Sequence, residues 1–200
     1  MSGRGQRLNS SPHKTKQIAL ICMMSALGNI LSALSLFLAN VGPIGLDLSH
    51  LATLIAAIYG GPLTGFATGA LGGVFAGIYF GFIGGNLGLL SLIGIPIGKA
   101  LTGLTAGWLS NAFSVLRSDR SFLRVVPTVL LSYIPESLYT AIFFMTLVPL
   151  FFGWFSLPFL ISVEVKAWGE LVILSVICYV LRRNKSFSGY LTRNLRKQMK

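Results

Sequence analysis

The stretch GPLTGFATGALGGVFAGIYFG, residues 61–81, decides how the rest of the chain is read. Gly61, Gly65, Gly69, Gly73, Gly77 and Gly81 recur at every fourth position of an otherwise apolar run. An α-helix turns once in about 3.6 residues, so this spacing lays the glycines in one slowly winding stripe. A strip without side chains lets a second helix approach backbone to backbone, a packing used where lipid removes the hydrophobic drive between helices. Internal packing is the first reading of such a ladder. A surface for a partner, or one that glides during a conformational change, is the second. Gly94, Gly98, Thr102 and Ala106 repeat the small-residue pattern in the next apolar run.

Composition agrees with a membrane setting. Of 200 residues, 54% are hydrophobic and 10% are charged, against about 25% charged in soluble domains. The mean hydropathy is +0.75. These values exclude a soluble enzyme domain and a disordered basic nucleic-acid binder. Two cysteines, Cys22 and Cys178, both within apolar runs, exclude a disulfide-stapled secreted module.

A membrane-crossing helix needs about 20 apolar residues. Four segments qualify around the ladder: 18–39, 87–109, 125–152 and 157–181, with the ladder itself occupying 63–83. A shorter apolar segment, 48–59, precedes Gly60-Gly61-Pro62. The cations settle whether it counts. Arg4, Arg7, Lys14 and Lys16 lie in the N-terminal tail, and Arg117, Arg120 and Arg124 in one interior loop. Arg182, Arg183, Lys185, Arg193, Arg196, Lys197 and Lys200 lie in the C-terminal tail. Lys/Arg-rich short segments face the cytoplasm. An even number of crossings must then separate the first two clusters, and only the short segment makes that number four. The expectation is an all-α integral membrane protein: a six-helix transmembrane bundle over 18–181, with basic cytoplasmic tails at 1–17 and 182–200. The tails set topology and attract anionic lipid. They lack the interleaved aromatics of a nucleic-acid interface.

Five ionisable residues fall inside the spans: Lys99, Glu136, Glu164, Lys166 and Glu170. Such groups are expensive in lipid and are either paired or functional. Tyr133, Glu136 and Tyr139 share a helix face at spacing three; Glu164 with Trp168, and Lys166 with Glu170, do so at spacing four. One reading is mutual neutralisation, Lys166 with Glu170 and Lys99 with Glu136. The other is a cavity opening outward between the outer halves of helices four, five and six, whose charges orient a polar ligand and whose rings stack on it. Asp47 reads as a helix cap. His50 and Asn86 are candidate contacts at the mouth.

No phosphate-binding loop, HExxH, GxSxG or metal-spaced Cys/His cluster occurs, so the sequence offers no metal site, cofactor motif or catalytic nucleophile. A structural or assembly protein, or a small membrane-embedded enzyme, remains the alternative to ligand capture.

Taken together, Asp47-Leu-Ser-His-Leu, Tyr59-Gly-Gly-Pro-Leu-Thr-Gly65-Phe-Ala-Thr-Gly69, the first helix Ala19-Leu-Ile-Cys-Met-Met-Ser-Ala26-Leu, and Glu164-Val-Lys166 with Glu170 ahead of a basic end form a pattern. The chain resembles the substrate-binding S components of energy-coupling factor (ECF) vitamin transporters over about residues 17–183. The resemblance implies capture of a water-soluble vitamin from outside and delivery through a transmembrane coupling subunit and two ATPases. It also implies that the small-residue face of the first helix, here Cys22 and Ala26, docks on the coupling subunit, although Ile18 and Ile30 interrupt the longer AxxxA run. Riboflavin is the first ligand implied, from helices two and three and the lysine near the start of helix six. Thiamine, a pyridoxine-like compound, a pterin or a deazapurine would use the same stacking chemistry. Two lysines against four acids (Asp47, Glu136, Glu164, Glu170) give the membrane and outer-face part a formal charge of −2, which favours a neutral or cationic ligand.

Overall fold

The computed structural model describes residues 12–38, 40–41, 44–45, 47–84, 87–117, 121–154 and 156–196. Among these, helix α1 spans Pro12–Leu38 and α2 spans Ser49–Gly60. The glycine ladder forms α3 (Pro62–Gly72), α4 (Val74–Ile78) and a π-helical turn, Tyr79–Ile83, end to end. Helix α5 is Gly88–Ala112. Next come α6 (Ser121–Ser132), α7 (Ile134–Ile142), a second π-turn (Phe143–Leu147) and α8 (Val148–Phe152). Helices α9 (Leu157–Arg183) and α10 (Lys185–Arg196) complete the order. Between α1 and α2 a two-residue antiparallel pairing, Asn40–Val41 with Ile44–Gly45, marks the turn-rich break. The described residues are thus helical but for this small clip and the connecting turns.

Among the described residues, four helical stretches are long and apolar enough to cross a membrane: Lys14–Phe37, Pro62–Ile83, Gly88–Ala112 and Phe122–Phe152. Helix α9 is as long, 27 residues, but carries Glu164, Lys166 and Glu170. Helix α2 has only 12 residues and sits at the centre, with ten of them buried. Helix α1 begins six residues before the apolar run, because Lys14 and Lys16 extend it beyond that run. Large apolar side chains stand exposed on many elements, among them Met23, Leu63, Leu89, Leu150 and Val165. A water-soluble surface would not carry such a belt; a lipid-facing one does.

The ladder packs α3–α4 antiparallel against α5. A methyl group placed on Gly65 would strike the Gly103 carbonyl, one on Gly69 the Lys99 carbonyl, one on Gly77 the Leu92 backbone, and one on Gly81 the Gly88 carbonyl. Each four-residue step on one helix meets a step of three or four on the other. The second small-residue stripe faces elsewhere: Gly94 abuts the Phe143 ring and Gly98 abuts Glu136 and Tyr139. It lets α7 and its π-turn approach the opposite side of α5.

Asn29, the strongly polar residue of the first span, is a wedge. Its Nδ2 donates to the Leu71 carbonyl at 2.9 Å, and its Oδ1 accepts from the Phe75 amide at 2.8 Å. Leu71 and Phe75 are the pair that an unbroken helix would bond to each other, so Asn29 satisfies both groups where α3 gives way to α4. Below the cavity described next, Leu54, Ile58, Tyr59, Ala106, Val129, Leu171, Leu174 and Cys178 form one packed core. At its far end Arg182 donates to the carbonyls of Val115 and Leu116 and to Ser188 of α10, and the Tyr59 and Phe187 rings meet edge to face.

Two substitutions test this packing. Gly69→Ala, aimed at the Lys99 carbonyl, is expected to abolish recovery of monodisperse protein in detergent. Gly169→Ala, in open space on α9, should leave the melting temperature unchanged or raise it. Asn29→Ala should lower the melting temperature, each orphaned backbone group costing about 1–3 kcal/mol.

Candidate functional site

A cavity of about 360 Å³ opens at the end of the bundle opposite Arg182. Its walls come from the start of α2, the first half of α5, α7 with its π-turn, and the first half of α9, with Phe80 from the other π-turn. Helical segments far apart in sequence thus converge on it. Both π-turns border it, and a π-turn widens the helix so that successive side chains, here Phe143 and Phe144, reach the same space.

The polar wall consists of two hydrogen-bonded sets of groups, all buried except the half-buried Lys166. Lys99, 2% exposed, donates to Asp47 Oδ2 and Ser49 Oγ. Asp47 Oδ1 accepts from the Ser49 amide at 3.0 Å while Oδ2 holds the lysine; the N-cap position of α2 belongs to Leu48, so Asp47 sits one residue before the cap expected of it. The Asp47 amide donates to Glu170 Oε1 at 2.7 Å, and Lys166 Nζ reaches the same oxygen at 3.1 Å along α9. His50 Nε2 lies 3.0 and 3.2 Å from the two oxygens of Glu136, which also accepts from the Thr102 hydroxyl.

The geometry redistributes the pairings expected from spacing. Lys166 does pair with Glu170. Lys99, however, meets Asp47 rather than Glu136, because the ladder turns its side chain toward the start of α2: a Cβ on Gly73 would lie 3.0 Å from Lys99 Cδ. Glu136 takes His50 instead.

Asp47, His50, Lys99, Tyr133, Glu136, Tyr139, Lys166 and Glu170 all line the cavity. Glu164 and Trp168 stand behind the wall. Glu164 Oε2 accepts from Ser137 at 2.6 Å, and the Trp168 ring meets Tyr133 edge to face at 5.2 Å. Asn86 lies outside the described residues. Cys22 and Ala26 are exposed on α1, away from the cavity. Among the lining residues that sequence reasoning missed are Phe80, Ser91, Phe143, Phe144, Trp154 and Phe159. Ser91 could have been found by extending the Gly94–Gly98–Thr102 stripe back one turn. The phenylalanines carry no signal, since lipid-facing and cavity-facing rings look alike in sequence.

A mouth of aromatic rings above a floor of hydrogen-bonded charges suits a flat molecule with a polar edge.

No family model matches the chain, and no curated protein matches it. Among solved structures, it is similar to one described as "Structure and mechanism of the S component of a bacterial ECF transporter". The TM-score is 0.52 at 15% identity, over 92% of this chain and 99% of that one. The chain therefore shares the fold of a membrane-embedded transporter component across nearly its whole length.

The ion-pair arrangement is testable by a double-mutant cycle. Lys99→Met and Asp47→Asn alone are each expected to cost about 3–5 kcal/mol, because each strands a buried partner. Combined, they should cost much less than their sum, measured by thermal unfolding in one detergent.

Proposed function

We propose that this chain is the substrate-capture (S) subunit of an ECF-type importer, a multi-pass protein of the cell membrane that binds a water-soluble vitamin or related micronutrient. The observation that carries the proposal is the cavity itself: a polar, internally hydrogen-bonded floor under an aromatic mouth, inside a fold shared with an S component. In this reading six segments cross the bilayer, α2 being the short one, and both termini face the cytoplasm. The cavity then opens outward, away from the basic ends. Asp47, His50, Lys99, Tyr133, Glu136, Tyr139, Lys166 and Glu170 form the binding wall, with Glu164 and Trp168 supporting it from behind and Asn86 a further candidate contact. Riboflavin is the ligand to try first.

Release would be driven by a transmembrane coupling subunit and two ATPases. The exposed Cys22–Ala26 face of α1 is the docking surface in this scheme, its small side chains admitting another helix closely. The chain itself performs no catalysis and needs no cofactor or metal.

Protein purified in detergent should release a small heterocycle detectable by mass spectrometry, or bind one member of a vitamin panel with nanomolar affinity by calorimetry. Absence of both would overturn the reading. Cys22→Trp and Ala26→Trp are expected to abolish co-purification with the coupling subunit while changing ligand affinity less than twofold.

A further inference from the structure

Among the described residues, two polar atoms of cavity-lining side chains have no hydrogen-bond partner: His50 Nδ1 and Ser91 Oγ. Both side chains are more than nine-tenths buried. Buried polar groups are ordinarily satisfied, so each orphan calls for a partner. The two are not equivalent. Around His50, Glu136 presents both oxygens to Nε2 while Thr102 donates to the same carboxylate. A carboxylate held in this way accepts, so the Nε2 proton is directed at Glu136. A neutral imidazole then leaves Nδ1 as a lone-pair acceptor. A carboxylate behind a histidine also fixes the orientation of the ring. The Tyr133 ring, edge-on at 6.2 Å, packs against the imidazole. His50 is thus an oriented acceptor rather than a loose polar contact.

Ser91 marks a second level. The His50–Glu136 pair sits at the height of Gly98, which abuts Glu136, and Ser91 lies seven residues earlier on the same side of α5. Seven residues rise about 10 Å along a helix. Between the two levels Gly94 faces Phe143, and the space is walled by Phe143, Phe144 and Tyr139.

We propose that His50 Nδ1 is the specificity-determining acceptor for an N–H or O–H on the deep edge of a flat heterocyclic ligand, and that the Ser91 hydroxyl binds a second polar group on that ligand about 10 Å nearer the mouth. Glu136 and Thr102 are positioning residues for His50. The ligand class is a ring system with a hydrogen-bond donor at one end, an aromatic body, and a polar substituent at the other. The inference rests on the capture reading above.

The test compares parent and methyl-blocked probes by calorimetry in detergent: riboflavin with N3-methylriboflavin, pyridoxine with its 3-O-methyl ether, and thiamine with the form whose exocyclic amine is dimethylated. Biotin is included as an anionic probe. Wild type, His50→Gln and Ser91→Ala are measured together. A glutamine amide can still donate to Glu136 but offers nothing where Nδ1 stood. For whichever parent binds, blocking the donor should weaken wild type at least tenfold and His50→Gln less than threefold. Ser91→Ala should weaken the parent at least fivefold with its melting temperature unchanged. If a parent binds and methylation costs wild type and His50→Gln the same, or if biotin is the tightest probe, the inference is overturned while capture stands. Binding of none of the four, with nothing released from purified protein, overturns both.

Discussion

The close approach of α3 to α5 is the constraint on which the rest of this structure depends. Gly65 and Gly69 let the carbonyls of Gly103 and Lys99 come to within backbone contact, and no side chain could be tolerated there. That approach does more than bind two helices. It places Lys99 on the α3-facing side of α5, with its aliphatic stem running past Gly73 and its ammonium delivered to Asp47 and Ser49. A wider helix pair would leave the same lysine stranded among apolar groups. The ladder and the charged wall are therefore one device, although in the sequence they look like separate features.

The second tier of the design is connectivity among charges that would each be costly alone. Asp47 is the hub. Its side chain takes Lys99 and the Ser49 amide, and its own amide is taken by Glu170, 123 positions away. Through Glu170 the hub reaches Lys166, and next to it Glu136 holds His50 and Thr102. Such a network, once satisfied, fixes the relative placement of α2, α5, α7 and α9 more sharply than apolar packing would. The rings above it then have a rigid base.

Which of this could be read in advance follows from physical range. Local periodicity is visible in sequence, so the glycine stripe, the long apolar helices and the Lys166–Glu170 step were all legible. The local bond of Asp47 to the first amide of α2 is legible too, although Leu48 rather than Asp47 takes the N-cap position. Partners across the bundle were not. Lys99 had the four acids of the membrane and outer-face part to choose from, and spacing carries no information about which one the helix crossing presents. His50 looked like an isolated mouth residue, because Glu136 is 86 positions away. The π-turns were hidden for a different reason: a single widened turn leaves no compositional trace, yet it is what brings Phe143 and Phe144 into one wall. Asn29 stood out as the polar member of its span, but its role as a surrogate for a broken helix bond needs the neighbouring backbone to be seen.

The packed core beneath the cavity has a consequence for energetics. Helix α2 descends from His50 with its side chains buried, and Leu54, Ile58, Leu171 and Leu174 fill the space down to the Arg182 latch. The vessel is a blind cup. A molecule leaves it by the route it entered, and the free energy gained on entry must be returned on exit. A cup of this kind can concentrate a scarce solute at its own surface but cannot by itself move that solute uphill. Net accumulation requires that the whole cup be reoriented or its wall dismantled by an external source of work, and tighter binding raises the amount of work needed in direct proportion to the logarithm of the affinity.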